Sequence, residues 1–179
     1  MTQNRTLSLI LPAFGAAIIA ALAQIVIPIG AVPITLQTFA VGLVAAILKP
    51  REATLAATLY LILGAIGLPV FAGGGVGLQA FFGPSAGYLL AYPFFALVTS
   101  ALAHAKTPIW KIFLAFVLGD ALVFVGGILS LHFLGKMGWS AAVAVGLTPF
   151  IIPDLLKGLI VALVTKPVLK ALKNHSYFN

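Results

Sequence analysis

The chain alternates between long apolar runs and short polar interruptions. Most runs approach the roughly 20 residues that an α-helix needs to cross the hydrocarbon core of a bilayer. The pattern predicts six membrane-spanning helices, at about Leu7–Pro28, Thr35–Leu48, Ala53–Leu68, Ala86–His104, Ile109–Leu134 and Pro153–Leu172. A further apolar stretch, Lys136–Thr148, suits the membrane interface but has no clear bounds as a span.

Two segments are irregular for helices that face lipid. The second run has 14 residues and covers only about 21 Å, whereas the hydrocarbon core is about 30 Å thick. The preceding segment, Ile29–Ile34, should therefore dip into the membrane. The stretch Gly67–Gly87 has seven glycines and no charge. Non-helical backbone at membrane depth is tolerated only where it is buried in protein or lines a cavity, so these two loops predict a roofed cavity on one side.

Composition supports a membrane protein. Of the 179 residues, 62% are hydrophobic and 7% are charged, whereas a soluble domain has about 25% charged residues. The length leaves no room for a soluble catalytic domain, so we expect a single membrane domain over residues 1–179. The net charge of +7 comes from basic residues scattered at the ends of apolar runs, which points to membrane topology rather than to nucleic-acid binding.

The distribution of charge predicts the orientation. If both termini lie on one side, eight basic residues lie there too, and they are Arg5, Lys49, Arg51, Lys106, Lys111, Lys166, Lys170 and Lys173. The opposite side receives Lys136 alone, while Lys157 lies inside the sixth run. Because basic residues are enriched in cytoplasmic loops, we expect cytoplasmic termini and an outward-facing cavity. The predicted location is the cell (plasma) membrane, with multiple passes.

Asp154 and Lys157 are the most informative charged residues. They follow Pro153, which suits the first position of a helix, and their spacing of three places them on one helix face. Asp154 could simply stabilise the helix dipole while Lys157 reaches the headgroups. The other interpretation is a binding site, because an ionisable residue within a membrane segment is a functional candidate by default. The pair would suit a small polar ligand.

Asp120 lies in the middle of the fifth run. A carboxylate at that depth is costly unless it is protonated or partnered. It is either a protonated residue bonded to a neighbouring helix, or the floor of the cavity, or part of a proton relay. The sequence leaves these alternatives open.

Catalysis and metal binding are not predicted. The three histidines show no metal-ligand spacing, and the pair Gly135-Lys136 lacks the upstream glycines of a phosphate-binding loop. The chain also has no cysteine. We therefore expect no catalytic residue, no metal, no cofactor and no hydrolysis of ATP by this chain alone.

Two other groups of residues are candidates for contacts. Five polar side chains are long enough to reach a ligand, namely Gln37, Gln79, Tyr60, Tyr88 and Tyr92. Helix capping or anchoring at the membrane interface explains each of them equally well. The first span carries small residues at four-residue spacing, namely Ala13, Ala17 and Ala21. Such a stripe lets another helix approach closely, either within this protein or from a partner. Its width favours a partner.

Several motifs resemble those of the biotin-specific S component (BioY type) of energy-coupling-factor (ECF) transporters. The motifs are Val32–Phe39, Leu63–Gly74, Gly83–Tyr88 and the segment Pro149–Lys157, which resembles the family's P-x-D-x-x-K signature although Pro153 directly precedes Asp154. They occur in the family's order along the whole chain. Ser85-Ala86 stands where the family often has Thr-Gly, and the glycine-rich loop has no arginine for a ligand carboxylate.

The resemblance implies a six-helix subunit that captures biotin from outside. It implies partners, namely a transmembrane coupling subunit that docks on the stripe of the first helix and two cytoplasmic ATPases. It also implies site roles, with Asp154 accepting from the ureido N–H groups and Lys157 donating to the ureido carbonyl or the valerate carboxylate. Further ligand contacts would come from the loops, through Gln37, Gln79, Tyr88, Phe71, Phe81, Phe82, Gly73 and Gly74.

Two other functions remain as alternatives. One is a self-sufficient secondary transporter or proton-coupled channel that uses Asp120 as a relay, against which the lack of detectable internal repeats argues. The other is a purely structural membrane subunit without a ligand.

Overall fold

The structure is a computed structural model and describes residues 2–28, 32–104, 106–173 and 177–178, without the side chains of residues 2–5. This part of the chain forms an all-α bundle. Its helices are α1 (Thr2–Leu22), α2 (Gln37–Ile47), α3 (Pro50–Ala65), α4 (Ala86–Leu102), α5 (Ile109–Phe133), α6 (Trp139–Gly146) and α7 (Ile151–Leu172). Six of them correspond to the predicted spans, and α6 is additional.

The first helix ends earlier than predicted. After α1 the chain forms a strand β1 (Val26–Ile27), which pairs antiparallel with β2 (Ile34–Thr35). The β-branched residues of these strands suit extended backbone, and the pairing satisfies peptide groups that no helix would satisfy. Residues 29–31 of the predicted inward dip lie outside the described part. The remaining residues of the dip return towards the bundle through β2.

The second and third helices are joined more tightly than predicted. The helix α2 has 11 residues and spans only about 16 Å. Pro50 is the first residue of α3, so most of the predicted polar turn Lys49–Glu52 is the first turn of that helix. Proline suits this position because the first N–H groups of a helix have no partner within it.

The ambiguous stretch after α5 is helical. It forms α6, which is followed by a short break and a bend of 43° into α7. The helix α7 begins at Ile151, so Pro153 is its third residue rather than its first. The prediction of the start was wrong by two residues, but Pro153 still lies in the first turn, where its missing N–H has no cost.

Helix length and composition agree with a membrane location. Among the described residues, α5 alone is long and apolar enough to cross a bilayer, and α6 and α7 meet the same criterion as one bent pair. The apolar helices Thr6–Leu22, α2 and α4 are shorter.

Glycines allow the central helices to approach closely. The most extensive helix contact is between α4 and α5. There Gly87 faces Gly126, and a Cβ atom on either residue would collide with the backbone carbonyl of the other. Small residues are the usual way for membrane helices to bring their backbones together. The other main contacts join α1 to α3, α3 to α4, and α2 to both α4 and α7. The first turns of α2, α4 and α7 thereby surround one space.

Candidate functional site

The surrounded space is a cavity of about 590 Å³. This volume is within the range of small-molecule sites, about 300–1,000 Å³. Its walls are the start of α2, the loop between α3 and α4, the start of α4, the middle of α5 and the start of α7. The two irregular segments of the sequence therefore contribute to the same cavity. Val32 and Pro33, from the predicted dip, are among its lining residues.

Asp154, Lys157 and Thr38 form a closed group of hydrogen bonds in the wall of this cavity. Lys157 Nζ donates to Asp154 Oδ1 at 2.5 Å and to Thr38 Oγ1 at 3.0 Å. Thr38 Oγ1 in turn donates to Asp154 Oδ1 at 3.2 Å. The relative exposure of the three residues is 4% for Asp154, 7% for Lys157 and 9% for Thr38. The group therefore links the first turns of α2 and α7 in a largely water-excluded environment.

This arrangement leaves bonding capacity for a ligand. The bonds to the carboxylate among the described residues all use Oδ1, which leaves Oδ2 as an acceptor for a ligand N–H. An ammonium group has three N–H donors, and two of those of Lys157 are used within the group. The site thus presents an acceptor and a donor side by side. Such a pair matches a ligand that carries an N–H next to a carbonyl.

Gln37 is held in place by its neighbours. Its Nε2 donates to the Tyr60 hydroxyl at 2.5 Å, and its Oε1 accepts from Thr35 Oγ1 at 3.0 Å. Tyr60 is fully buried and packs edge-on against Phe71. Gln37 is itself buried and lines the cavity. Its amide is therefore preorganised, with one N–H left for other contacts.

The loop between α3 and α4 covers the cavity with residues from two short 3-10 turns, Ala72–Gly74 and Leu78–Phe81. Phe71, Gly74 and Gln79 line the cavity, as the sequence analysis expected of ligand contacts. Gln79 is exposed, and its Nε2 donates to the Val76 carbonyl. Gly74 has a φ of +83°, a conformation that residues with a Cβ rarely adopt.

Three expected contact residues lie outside the cavity wall. Gly73 is not among the lining residues, although it is next to Gly74. Phe81 packs edge-on against Phe71 from behind, and Phe82 is 76% exposed. Neither ring of this pair of phenylalanines therefore lines the cavity.

Tyr88 contributes its ring to the cavity, whereas its hydroxyl has a structural partner. The hydroxyl donates to the Gly146 carbonyl at 2.7 Å, which connects α4 to the end of α6. The ring packs on Gly127 of α5, where a Cβ atom would collide with it. Tyr88 therefore offers an aromatic face rather than a free polar group.

Sequence reasoning missed several lining residues. Thr38 is the most important, because it bonds to both charged residues; its position directly after Gln37 at the start of a short span was the available signal. Ser85 adds a polar group just before α4, and Phe124 and Phe150 add aromatic surface from α5 and the start of α7. Tyr92 of α4, a candidate from the sequence, also lines the cavity. Only the packing of the helices reveals which residues on α4 and α5 face the cavity.

Asp120 lies behind the main cavity rather than in it. It lines a separate space of about 150 Å³ that it shares with Asp154. Asp120 is buried, and its Oδ1 has no hydrogen-bond partner among the described residues. Asp120 therefore lies close to Asp154, but it is not part of the wall of the ligand cavity.

The small-residue stripe faces away from the bundle. Ala13, Ala17 and Ala21 are all exposed on α1, whereas Ala16 and Ile19 on the other face of the helix are fully buried. In the structure, the stripe therefore does not pack against the other described helices of this protein. An exposed stripe of small residues is a surface to which another helix can pack closely.

Comparison with known proteins gives matches along the whole chain. The model of the BioY family matches residues 1–174. The biotin transporter BioY2 of Lactococcus lactis subsp. cremoris is 43% identical over 99% of both chains. The biotin transporter BioY of Thermotoga maritima is 39% identical over 79% of this chain and 83% of its own. A crystal structure of the S component for biotin from an ECF-type ABC transporter superposes with a TM-score of 0.87 and 27% identity, covering 100% of this chain and 99% of that one.

Proposed function

The chain belongs to the BioY family, and from this membership we propose that it is the biotin-capturing S component of an ECF transporter. The observation that carries the proposal is the buried group of Asp154, Lys157 and Thr38 in the wall of a cavity of suitable volume. The protein is a transport subunit and not an enzyme, in keeping with its relatives.

We infer that the ureido ring of biotin binds at the charged group. A ureido group carries N–H donors next to a carbonyl acceptor, and Asp154 Oδ2 and the remaining N–H of Lys157 offer the complementary pair. Gln37 would complete the polar contacts from α2. Phe71 and the ring of Tyr88 would pack on the apolar parts of the bicyclic ring, and Gln79 lies in the covering loop, where the valerate chain would leave the ring.

The proposed topology has cytoplasmic termini, passes the plasma membrane several times within a single domain over residues 1–179, and opens the cavity outward. The positions of the basic residues support it. Lys49, Lys106 and Lys111 surround a second cavity at the opposite end of the bundle from the ligand cavity, and Lys166, Lys170 and Lys173 lie near that end as well. Because basic residues favour the cytoplasmic side, the ligand cavity should face outside. The side chain of Arg5 lies outside the described part.

The proposed partners are a transmembrane coupling subunit and two cytoplasmic ATPases. The exposed stripe of Ala13, Ala17 and Ala21 on α1 supports docking of the coupling subunit there. On this proposal, the chain supplies ligand specificity and the partners supply the energy of ATP hydrolysis.

Calorimetry on the purified chain tests the proposal. We expect the chain alone to bind biotin with submicromolar affinity, and Lys157→Met to weaken binding by about 10- to 100-fold, because a hydrogen bond to a charged group contributes about 1.5–3 kcal/mol. No binding to the folded wild-type chain would contradict the function.

The methyl ester of biotin locates the ligand group that Lys157 contacts. If Lys157 bonds to the ureido carbonyl, Lys157→Met should weaken biotin and its methyl ester by the same factor, because the ester leaves the ureido ring unchanged. If Lys157 bonds to the carboxylate, the variant should weaken biotin far more than the ester. That second result would overturn the proposed orientation while leaving the function intact.

A further inference from the structure

A second cavity, of about 730 Å³, lies at the opposite end of the bundle from the ligand cavity. It is formed where α2 and α4 end and where α3 and α5 begin, with Leu169 of α7 and the C-terminal Tyr177 and Phe178 completing the wall. Nothing in the capture of biotin uses this cavity, which we call the basic-end cavity.

The basic-end cavity is strongly positive. Its described lining residues include Lys49, His104, Lys106 and Lys111, and none of those described is acidic. Two helix N-termini also open towards it, those of α3 and α5, and neither has a hydrogen bond from a capping side chain. The N-terminal end of a helix carries a partial positive charge and unpaired N–H groups that favour an anion.

The one carboxylate in the first turn of α3 is already engaged. Glu52 is 6% exposed and accepts from the Tyr177 hydroxyl at 3.1 Å. Burial raises the pKa of Tyr177 above its ordinary value, so the phenol stays protonated and remains a donor. The Lys49 backbone N–H donates to the same hydroxyl at 3.0 Å. The C-terminal tail thereby holds Glu52 away from the cavity wall and fixes the wall in place.

The surroundings of the cavity indicate the depth of the lipid headgroups. Trp110, next to the lining residue Lys111, is 59% exposed, and the Lys111 ammonium lies 5.3 Å from its ring centroid. Exposed tryptophans with neighbouring lysines are typical of the membrane–water interface. The rest of the wall is largely apolar, with Leu48, Leu102 and Phe178 beside the cations.

We propose that the basic-end cavity binds the phosphate headgroup of an anionic phospholipid, with its lysines on the phosphate and its apolar wall against the glycerol and upper acyl chains. Basic pockets between membrane helices on the cytoplasmic side suit such headgroups. A lipid fits better than a soluble phosphate because the cavity combines charge with apolar walls at interface depth. This site is independent of the ligand cavity and of the proposed function.

Lipid retention tests the assignment. The purified chain is exchanged into mixtures of phosphatidylglycerol and phosphatidylcholine, and bound lipid is counted by native mass spectrometry. We expect wild type to retain phosphatidylglycerol preferentially and Lys106→Gln/Lys111→Gln to lose about thirtyfold of that preference. The matched control is Lys170→Gln/Lys173→Gln, which removes the same charge from exposed residues near the same end but outside the cavity wall. It should keep the preference.

Each contrary outcome is specific. Equal retention of both lipids by wild type, or equal loss in the two double variants, would mean that the cavity has no headgroup site. Stabilisation by inorganic phosphate to the same extent as by phosphatidylglycerol would mean that the occupant is a soluble anion. If the cavity variant keeps its lipid preference but no longer co-purifies with the coupling subunit, the cavity holds a protein partner. Biotin affinity, unchanged in both double variants, confirms that they are folded.

Discussion

Lys157 Nζ lies 2.5 Å from Asp154 Oδ1, one helical turn earlier on α7, and Thr38 Oγ1 on α2 bonds to both residues. The two charges are buried together, so each compensates for the desolvation of the other. The same pair offers the groups that a ureido ring needs. On the proposed function, stability and ligand recognition would depend on the same atoms, so paired variants are needed to separate the two effects.

Removing one member of the Asp154–Lys157 pair should destabilise the protein more than removing the charges of both. Lys157→Met leaves Asp154 buried without its cation, and we expect the free energy of unfolding to fall by about 3–5 kcal/mol. The double variant Asp154→Asn/Lys157→Met has no unpaired charge and should regain most of this loss. Lys157→Met should weaken biotin about 10- to 100-fold, and the double variant should weaken it at least as much. Thermal unfolding and calorimetry on the same samples check this, and a single variant as stable as wild type would contradict it.

Phe71 should matter for binding and Phe82 should not. Phe71 lines the cavity and packs edge-on against Tyr60 and Phe81, whereas Phe82 is 76% exposed. We expect Phe71→Leu to weaken biotin roughly tenfold, through lost ring contacts with the ligand and with its neighbours. Phe82→Leu is the matched control and should bind like wild type. Equal effects in titrations of the two variants would argue against the proposed ring contact.

Substitution of Asp120 distinguishes two mechanisms of uptake. In one, ligand binding is followed by ATP-driven transport, and in the other, Asp120 acts as a proton relay. Its Oδ1 is buried and has no hydrogen-bond partner in the described part of the chain, and the residue lies behind Asp154 rather than in the ligand cavity. Asp120→Asn keeps the size and removes the ionisable group. We expect uptake and biotin affinity close to wild type, and thermal stability unchanged or higher, because an uncompensated carboxylate is costly to bury. Lost uptake with intact binding would instead favour the relay.

Docking and binding should be separable on α1. Ala17 is exposed on the face opposite the buried Ile19, so a bulky residue there should leave the bundle intact. Ala17→Trp should abolish uptake and co-purification with the coupling subunit, because close helix approach requires small residues. Biotin affinity should remain near wild type. Ala101→Trp, at an exposed alanine of α4, is the control and should keep uptake; an equal loss in both variants would remove α1 as the docking surface.

The topology can be tested with single cysteines, because the chain has none of its own. Gly75 lines the ligand cavity and has a φ of −58°, which cysteine adopts without strain. Gly75→Cys should react with an impermeant maleimide in intact cells, and biotin should protect it. Arg51→Cys, at the basic end, should react only after the cells are opened. The opposite labelling pattern would reverse the proposed orientation.

Much of the architecture could be predicted from the sequence, because the physics that decides it is local. Each apolar run longer than a few turns forms a helix, since lipid leaves the peptide groups no other partners. Asp154 and Lys157 must share a helix face, since a spacing of three residues is almost one turn. The uncharged glycine-rich stretch could be placed at the cavity because non-helical backbone at membrane depth must be buried in protein or line a cavity. Phe71, Gly74 and Gln79 of this stretch do line it.

The tertiary structure decided the features that depend on contacts between residues far apart in the sequence. Thr38 reaches Asp154 across 116 residues of sequence, and no local pattern indicates that bond. The hairpin of β1 and β2 replaces the end of the predicted first span because each strand pairs only with the other. Phe81 packs against Phe71 instead of lining the cavity, and Phe82 is exposed, which no local pattern indicates. Asp120 and the Ala13–Ala21 stripe likewise acquire their surroundings only when the helices pack. Periodicity and charge along the chain thus determined the helices and their expected direction in the membrane, whereas the contents of the cavity follow from contacts between helices.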